Sequence, residues 1–189
     1  MFNSIVSLGL VFRFLLNNFH HLLIQFPYYV DNLYFHRYVD NKDFVEKLGI
    51  YDEVLCYDEV ENLADEPSAY IDMAGNKEVL ARVHHHLREN LVNSCSVGIT
   101  HWDARQGEDP TSLPGASPTM FFAPSQIVKR NKELGPEVYQ QRITQATDAF
   151  FAVVDNWVSI QEAPLNEVEQ VYRTVLKGPA PNIGYIVTS

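Results

Sequence analysis

Hydrophobic and polar residues follow two patterns along most of this chain, and the patterns predict strands and helices in turn. Short apolar runs bounded by polar residues or glycine predict strands, whereas apolar residues spaced three or four positions apart predict helices. The predicted strands are Glu53–Tyr57, Ala69–Met73, Leu91–Val97, Val158–Ile160 and Ile183–Val187. The predicted helices are Asn41–Leu48, the stretch from Asn76 through Leu87, Pro136–Asn156, and a last helix that begins at Pro164 or Leu165 and ends at Gly178. Strands and helices that alternate in this way are typical of an α/β fold.

The segment Ser68–Asp103 carries the clearest pattern, because it contains a strand, a tight turn, a helix and a second strand. Gly75 permits the tight turn, and Asn76 is a suitable cap for the helix that follows. This order predicts a βαβ unit of a parallel sheet with flanking helices. Ligands bind outside the carboxyl ends of the strands in such sheets, so Asp72–Gly75 and Gly98–Asp103 are the first candidate site.

The N-terminal part of the chain differs from the rest. Apolar residues in Met1–Phe26 follow helical spacing and predict a core-facing helix, with a membrane or targeting segment as the alternative. Arg13 interrupts the apolar run and no small-residue cleavage pattern follows, which disfavours that alternative. Pro27–Asn41 shows no clear period. We therefore predict two parts, a divergent N-terminal segment at 1–40 and a domain at 41–189.

Composition and charge restrict the partners of this chain. It has 189 residues, 46% hydrophobic and 20% charged, with a formal net charge of −10. Such an acidic chain without a basic cluster disfavours a nucleic acid partner. Cys56 and Cys95 lie in apolar runs and are predicted to be buried free thiols in a reducing compartment. These features predict a cytoplasmic protein without a membrane anchor.

Two charged clusters have a structural interpretation beside a functional one. His84-His85-His86 suggests a metal site, but consecutive helix positions point about 100° apart and cannot converge on one ion. We therefore predict no metal site, and we interpret the three histidines as a partly solvated helix face. Lys129 and Arg130 either hold a phosphate or carboxylate or lie at an ordinary charged helix end.

Three motifs resemble the C-terminal, Rossmann half of the medium-chain dehydrogenase/reductase superfamily. Tyr70-Ile71-Asp72-Met73-Ala74-Gly75 resembles its D-x-x-G turn after the fourth strand, and Leu91–Gly98 resembles the next strand. The stretch from Leu165 through Gly178 to Val187 resembles the returning helix and strand at its end. More narrowly, Asn41–Asp58, the D-M-A-G-N run, the V-G-x-T-H-W-D run and Phe121–Pro124 resemble an uncharacterised, zinc-free domain family related to that superfamily.

The resemblance also predicts what this chain lacks. The GroES-like catalytic domain and the G-x-G-x-x-G turn after the first strand have no counterpart in the sequence. Ser7–Asn18 is similar to the helix after that turn, so the chain is expected to start just after the phosphate-binding strand. We therefore expect a truncated or divergent member with a partial Rossmann-like parallel sheet, flanking helices and a C-terminal return helix and strand.

The resemblance implies a nicotinamide cofactor, NADP or NAD, and assigns candidate roles to residues at the strand ends. Asp72, Gly75, Gly98 and Thr100 are the candidate cofactor-binding residues. His101 is a candidate catalytic general acid or base, because histidine titrates near neutral pH. The alternative is that these are turn residues without a ligand, and that His101 is a loop histidine bonded to the backbone.

Two hypotheses for the function remain from the sequence. The first is a zinc-free oxidoreductase-like protein in which the cofactor delivers hydride to a small-molecule carbonyl or conjugated alkene. The second is a non-catalytic remnant that acts as a binding or dimerisation module, because relatives often form homodimers through their last sheet strands. Whether the chain is an enzyme, and which substrate it takes, stays open at this level.

Overall fold

A computed structural model describes residues 4–7, 31–36, 41–49, 51–98, 109, 112–178 and 180–189 of the chain. Contacts between Cα atoms divide the chain into two units, Met1–Ile143 and Thr144–Ser189. Each unit is described by itself below.

The first unit contains a six-stranded sheet in which every neighbouring pair of strands is parallel. The strands are β1 (Ser4–Ser7), β2 (Asp31–His36), β3 (Glu53–Cys56), β4 (Ser68–Asp72), β5 (Leu91–Ser96) and β6 (Thr119–Met120). Their order across the sheet is β3-β2-β1-β4-β5-β6. This is the strand order of doubly wound dinucleotide-binding sheets, which reverses direction between the first and fourth strands.

Helices connect and follow these strands. They are α1 (Lys42–Lys47), α2 (Lys77–Leu87), α3 (Ala123–Leu134) and α4 (Pro136–Val154), with 3₁₀ turns at Tyr57–Asn62 and Arg88–Asn90. The Asn76 side chain accepts hydrogen bonds from the backbone N–H groups of Glu78 and Val79 and so caps α2. The predicted cap is therefore confirmed.

The main hydrophobic core lies where α2 covers the sheet. One face of α2 and the strands β3, β4 and β5 supply most of its buried residues, which are Leu55, Val60, Leu63, Tyr70, Ala74, Val79, Leu80, Val83, Leu87, Leu91 and Leu113. Arg82, on α2, donates hydrogen bonds to the carbonyl oxygens of Tyr57 and Asp58 and pairs with Glu61. The helix is thus fixed to the 3₁₀ turn after β3 by polar bonds as well as by packing.

The second unit is a smaller βαβ arrangement. Strands β7 (Ser159–Pro164) and β8 (Ile183–Thr188) form a two-stranded parallel sheet. A 3₁₀ turn at Leu165–Glu167 and helix α5 (Val168–Leu176) connect them. This unit provides the C-terminal return helix and strand that the resemblance predicts.

The predicted fold class is confirmed, since the sheet is parallel and flanked by helices. The predicted helices correspond to α1, α2, α4 and α5, and the predicted strands to β3, β4, β5, β7 and β8. The bounds of helix α3 were not predicted, although a charged helix end is one of the two interpretations of Lys129 and Arg130. The second residue of this helix is Pro124, and proline is compatible with the first helical turn because the N–H it lacks has no intrahelical partner there.

The N-terminal prediction was wrong in two respects. Ser4–Ser7 forms a strand and not part of a helix, and Asp31–His36 forms a strand inside the stretch that shows no period. Strand β1 pairs with both β2 and β4, so it occupies the first-strand position that we expected to be missing. The rest of the predicted Met1–Phe26 helix lies outside the described residues, and the division at residues 40 and 41 stays a prediction.

Two further predictions concern the whole chain. In the part of the chain that the structure describes, no helix has the length and apolar character needed to cross a membrane. Both cysteines are free thiols, with Cys56 buried and Cys95 half-buried. Burial raises the pKa of each thiol, so both are protonated near neutral pH.

Candidate functional site

The sheet order places a candidate crevice at the carboxyl ends of β1 and β4. The strand order reverses between β1 and β4, and in sheets of this order ligands bind in the crevice outside the carboxyl ends of the strands at the reversal. Asp72 ends β4, and Ser96 ends β5 directly beside it in the register. The D-M-A-G turn from Asp72 to Gly75 and the two residues after β5 therefore border the crevice on one side.

The turn after β4 is closed by the Asp72 side chain. Its Oδ1 accepts hydrogen bonds from the backbone N–H groups of Ala74, at 3.0 Å, and Gly75, at 2.7 Å. Gly75 has a φ of +74°, a conformation that favours glycine. Burial raises the pKa of the Asp72 carboxyl, while the hydrogen bonds from Gly75 and Ala74 oppose that rise. The turn predicted from sequence is confirmed, and Asp72 is a buried residue, only 2% exposed.

Gly98 has a packing reason to be glycine. Its N–H, like that of Val97, donates to the carbonyl oxygen of Asp72, at 3.3 and 2.7 Å respectively. A Cβ atom on Gly98 would overlap the carbonyl oxygen of Met73. The end of β5 is therefore held against the turn after β4 at a distance that only glycine permits.

The other predicted site residues fall outside the described part of the chain. Thr100 and His101, with the neighbouring Trp102, belong to residues 99–108, so their predicted roles stay predictions. Ser96, a half-buried residue that pairs with Asp72 across β4 and β5, is not among the predicted site residues. No signal in the sequence singles it out, because the predicted strands end at the apolar residues Met73 and Val97.

The three consecutive histidines have different surroundings. His84 is fully buried, which corrects the prediction that all three lie on a partly solvated face. Its Nδ1 lies 2.8 Å from the carbonyl oxygen of Pro114, and its Nε2 lies 2.9 Å from Ser94 Oγ. Burial lowers its pKa, although the Pro114 carbonyl opposes this change. His84 therefore joins α2 to β5 and to the segment before β6.

The remaining charged candidates have ordinary structural partners. His86 Nε2 lies 2.8 Å from the carbonyl oxygen of Leu63. Arg130 and Lys129 both pair with Glu133 on the exposed side of α3, at 2.7 and 4.0 Å. Among the residues that the structure describes, no cluster of three or more His, Cys, Asp or Glu side chains is arranged to hold a metal ion.

One ionic cluster lies at the carboxyl end of β3, which is the edge strand at the opposite end of the sheet from β6. Glu59 Oε2 accepts hydrogen bonds from the Cys56 backbone N–H, at 2.7 Å, and from Lys42 Nζ, at 2.9 Å. These two bonds lower the pKa of Glu59, with the Cys56 amide as the larger cause. The cluster connects α1 to the turn after β3 and fixes that edge of the sheet.

The chain matches a protein family over most of its length. The model of a family described as "Protein of unknown function (DUF2855)" matches residues 39–181. No curated protein matches the chain.

Solved structures of dehydrogenases and reductases share the fold. Benzyl alcohol dehydrogenase from Acinetobacter calcoaceticus is 12% identical, with a TM-score of 0.56 over 99% of this chain and 50% of that one. A mutant enoyl thioester reductase from Candida tropicalis is 15% identical, with a TM-score of 0.55 over 98% and 54%. CurA from Vibrio vulnificus, solved in complex with NADPH, is 12% identical, with a TM-score of 0.51 over 99% and 57%. The chain spans about half the length of these proteins.

Proposed function

Since this chain belongs to the family described as "Protein of unknown function (DUF2855)", we propose its function from the crevice and the shared fold. It is an oxidoreductase-like protein that binds a nicotinamide dinucleotide, NADP or NAD, at the carboxyl ends of β1, β4 and β5. A small molecule that accepts or donates hydride is the substrate class this implies. A cytoplasmic location belongs to the same proposal.

The order of the strands is the observation that carries this proposal. The order β3-β2-β1-β4-β5-β6, parallel throughout, reverses between β1 and β4. Dinucleotides bind across that reversal in sheets of this order. The fold is shared with CurA, whose structure contains NADPH. This likeness supports the fold, and the cofactor is our inference from the position of the crevice.

The described edge of the crevice fits such a cofactor in one respect. Gly75 and Gly98 lie just after β4 and β5, and Asp72, the last residue of β4, is buried and bonded to the Gly75 amide. Glycine residues at these strand ends allow the backbone to approach a ligand closely. When bound, the nicotinamide supplies hydride transfer, and the chain has to hold it and exclude water.

The roles of individual residues follow from their positions. Asp72 and Gly75 form the turn beside the strand-order reversal, and Gly98 holds the end of β5 against it. Thr100 and His101 follow Gly98 in the sequence, and we assign them to the polar contacts of the nicotinamide end. His101 would be the group that exchanges a proton with the substrate.

A direct titration with NADPH and with NADH tests the proposal. We expect saturable binding in the micromolar range by calorimetry or nucleotide fluorescence. Thr100→Trp should weaken that binding, because it places a bulky side chain in the segment after the carboxyl end of β5. Glu89→Trp is the matched control, since it adds the same side chain before the amino end of the same strand.

The outcomes separate clearly. A folded wild-type chain that binds neither nucleotide at millimolar concentration contradicts the proposal. Equal weakening by both tryptophan variants would place the nucleotide elsewhere on the chain. Gly98→Trp is not a suitable test, because any side chain at Gly98 meets the Met73 carbonyl oxygen and disturbs the fold itself.

A second candidate function is that of an interaction module without catalysis. Strand β6 lies at one end of the sheet order, and Met120 in this strand and Phe122 just after it are 75% and 62% exposed. An edge strand with large exposed apolar neighbours favours association with another copy of the chain. The homodimer predicted from sequence would form here.

The oligomeric state of the purified chain tests this second candidate. We expect a dimer by sedimentation, and a shift towards monomer in Met120→Lys. Ile160→Lys, at a 55% exposed apolar residue of β7, is the control. A wild-type chain that stays monomeric at high concentration would rule out the homodimer.

A further inference from the structure

Asp72 makes four hydrogen bonds to backbone N–H groups, and these bonds join the ends of two neighbouring strands. Its side-chain Oδ1 accepts from Ala74 and Gly75, in the turn after β4. Its backbone carbonyl oxygen accepts from Val97 and Gly98, after β5. One residue therefore determines where both strand ends lie.

The same geometry leaves Asp72 nearly inaccessible to solvent. The residue is 2% exposed, and the bond from Ala74 to its Oδ1 is buried. A carboxylate that binds cofactor hydroxyls presents its oxygen atoms to the ligand. Asp72 instead uses one oxygen for two amides of its own turn, which is the behaviour of a structural acceptor.

The position of Gly98 depends on this turn. Its amide is bonded to the Asp72 carbonyl, and its Cα lies against the Met73 carbonyl, which belongs to the turn that Asp72 closes. A shift of the turn would therefore shift the end of β5 as well. The turn after β4 and the end of β5 are therefore connected by both hydrogen bonds and close packing.

We propose that Asp72 is the positioning residue of the cofactor crevice: it fixes the Met73–Gly75 turn and the Val97–Gly98 strand end, and it does not itself bind the cofactor. This inference rests on the proposed function in so far as the crevice binds a nicotinamide nucleotide. It revises the role that the sequence predicts for Asp72, which is direct cofactor contact.

Two substitutions distinguish positioning from contact. Asp72→Asn keeps an oxygen acceptor of the same shape and removes the charge. Asp72→Ala removes the acceptor, so that two amides, one of them buried, lose their partner. If Asp72 positions the backbone, Asp72→Asn keeps the slow amide exchange and the nucleotide binding that Asp72→Ala loses. If its charge binds the ligand, both variants lose binding.

Hydrogen exchange in the absence of nucleotide gives the first measurement. We expect the amides of Ala74 and Gly75 to exchange about tenfold faster or more in Asp72→Ala, because an unpaired amide opens readily to water. Exchange in Asp72→Asn should stay close to that of the wild type. Asp43→Ala, at an exposed residue of α1, is the control and should leave these amides unchanged. Unchanged exchange in Asp72→Ala would overturn the inference.

Titration with NADPH and NADH gives the second measurement. We expect Asp72→Asn to bind as the wild type does and Asp72→Ala to bind at least about tenfold more weakly. Loss of binding in Asp72→Asn, with wild-type exchange at Ala74 and Gly75, would overturn the inference in favour of direct contact. If Asp72→Ala does not fold, Asp72→Asn alone still makes this distinction.

The failure of the proposed function has a different signature. A wild-type chain that binds neither nucleotide contradicts the cofactor crevice, whatever Asp72 does. Exchange at Ala74, Gly75, Val97 and Gly98 would still support or overturn the positioning role, because that measurement needs no ligand.

Discussion

Strands β4 and β5 are joined through α2, and strands β7 and β8 through α5, so each pair forms a parallel βαβ unit. Helix α2 buries five residues, which are Val79, Leu80, Val83, His84 and Leu87. Helix α5 has no buried residue, and four of its apolar side chains are 47–62% exposed, namely Val168, Tyr172, Val175 and Leu176. The same connection between strands thus gives a helix that belongs to a core in one case and a solvent-facing helix in the other.

The width of the two sheets explains the difference. Helix α2 packs on strands of a six-stranded sheet, whereas α5 belongs to a sheet of two strands. A two-stranded sheet offers too little surface to cover a helix and is only marginally stable by itself. Among the described residues from Thr144 to Ser189, Ala146 is the one that is buried. The stability of the fold therefore resides mainly in the first unit.

Truncation of one leucine in each helix should give the largest contrast. Leu87→Ala in α2 removes a side chain that is 1% exposed and should lower the free energy of unfolding by about 2–5 kcal/mol. Leu176→Ala in α5, at a 57% exposed residue, should change it by less than about 0.5 kcal/mol. Urea unfolding followed by circular dichroism measures both. An equally large effect of Leu176→Ala would show that α5 is covered in solution.

Glycine substitutions test whether the two units also differ in how tightly their backbones pack. Gly98→Ala places a Cβ against the Met73 carbonyl oxygen, which is backbone and cannot move aside, so we expect a loss of about 1–3 kcal/mol. Gly184→Ala in β8 meets the end of the Ile160 side chain at 3.0 Å, and that flexible group can shift. Its effect should stay below about 0.5 kcal/mol by the same unfolding measurement. Equal changes in the free energy of unfolding would mean that both positions accept a Cβ atom equally well.

Sequence patterns predict both βαβ units but not their difference in burial. The apolar stripes of α2 and α5 have the same period, and burial depends on how many strands lie beneath each helix. Strand β1 could not be predicted, because Ile5 and Val6 also fit the helical spacing of the apolar run around them. Buried parallel strands lack the alternation that identifies a strand, so length and context have to decide.

The candidate site shows the same limit of sequence reasoning. The turn at Gly75 and the strand end at Gly98 follow from the type and position of these residues. The bonds from the Val97 and Gly98 amides to the Asp72 carbonyl oxygen join two strand ends that are distant in sequence, which no local pattern specifies. The reason for Gly98 is the carbonyl group of Met73, which is distant in sequence. Register and close approach between strands are tertiary properties.

His84 makes the stability of the first unit depend on pH. Burial lowers its pKa, so the folded chain holds it neutral while the unfolded chain protonates it near its ordinary value of 6.5. The contribution of neutral His84 to the free energy of unfolding is therefore fully present above pH 6.5. It is lost as the pH falls from there through the lowered pKa of the folded state. We expect His84→Gln to lose about 1–2 kcal/mol at pH 7 and to flatten this acid limb.

Free energies of unfolding, measured at pH values from about 7.5 to about 5, test this effect. This interval covers at least about one pH unit on each side of the usual histidine pKa. His85→Gln, at the exposed neighbour on α2, is the comparison variant, since it removes a histidine from the same helix. The same slope in all three proteins would mean that His84 is not the group that titrates.

Tyr70→Phe should have the smallest effect, with the opposite sign. The Tyr70 side chain is fully buried in β4, and its hydroxyl has no hydrogen-bond partner in the part of the chain that the structure describes. Burial raises its pKa well above the ordinary value, with smaller contributions from Asp72 and Tyr57, so the hydroxyl is neutral and unpaired. Removing it should stabilise the fold by about 0.5–1 kcal/mol. Tyr172→Phe on α5, where the residue is 62% exposed, should change nothing measurable. A loss of stability in Tyr70→Phe would show that this hydroxyl finds a partner in solution. The core of the first unit would then contain a polar contact as well as apolar packing.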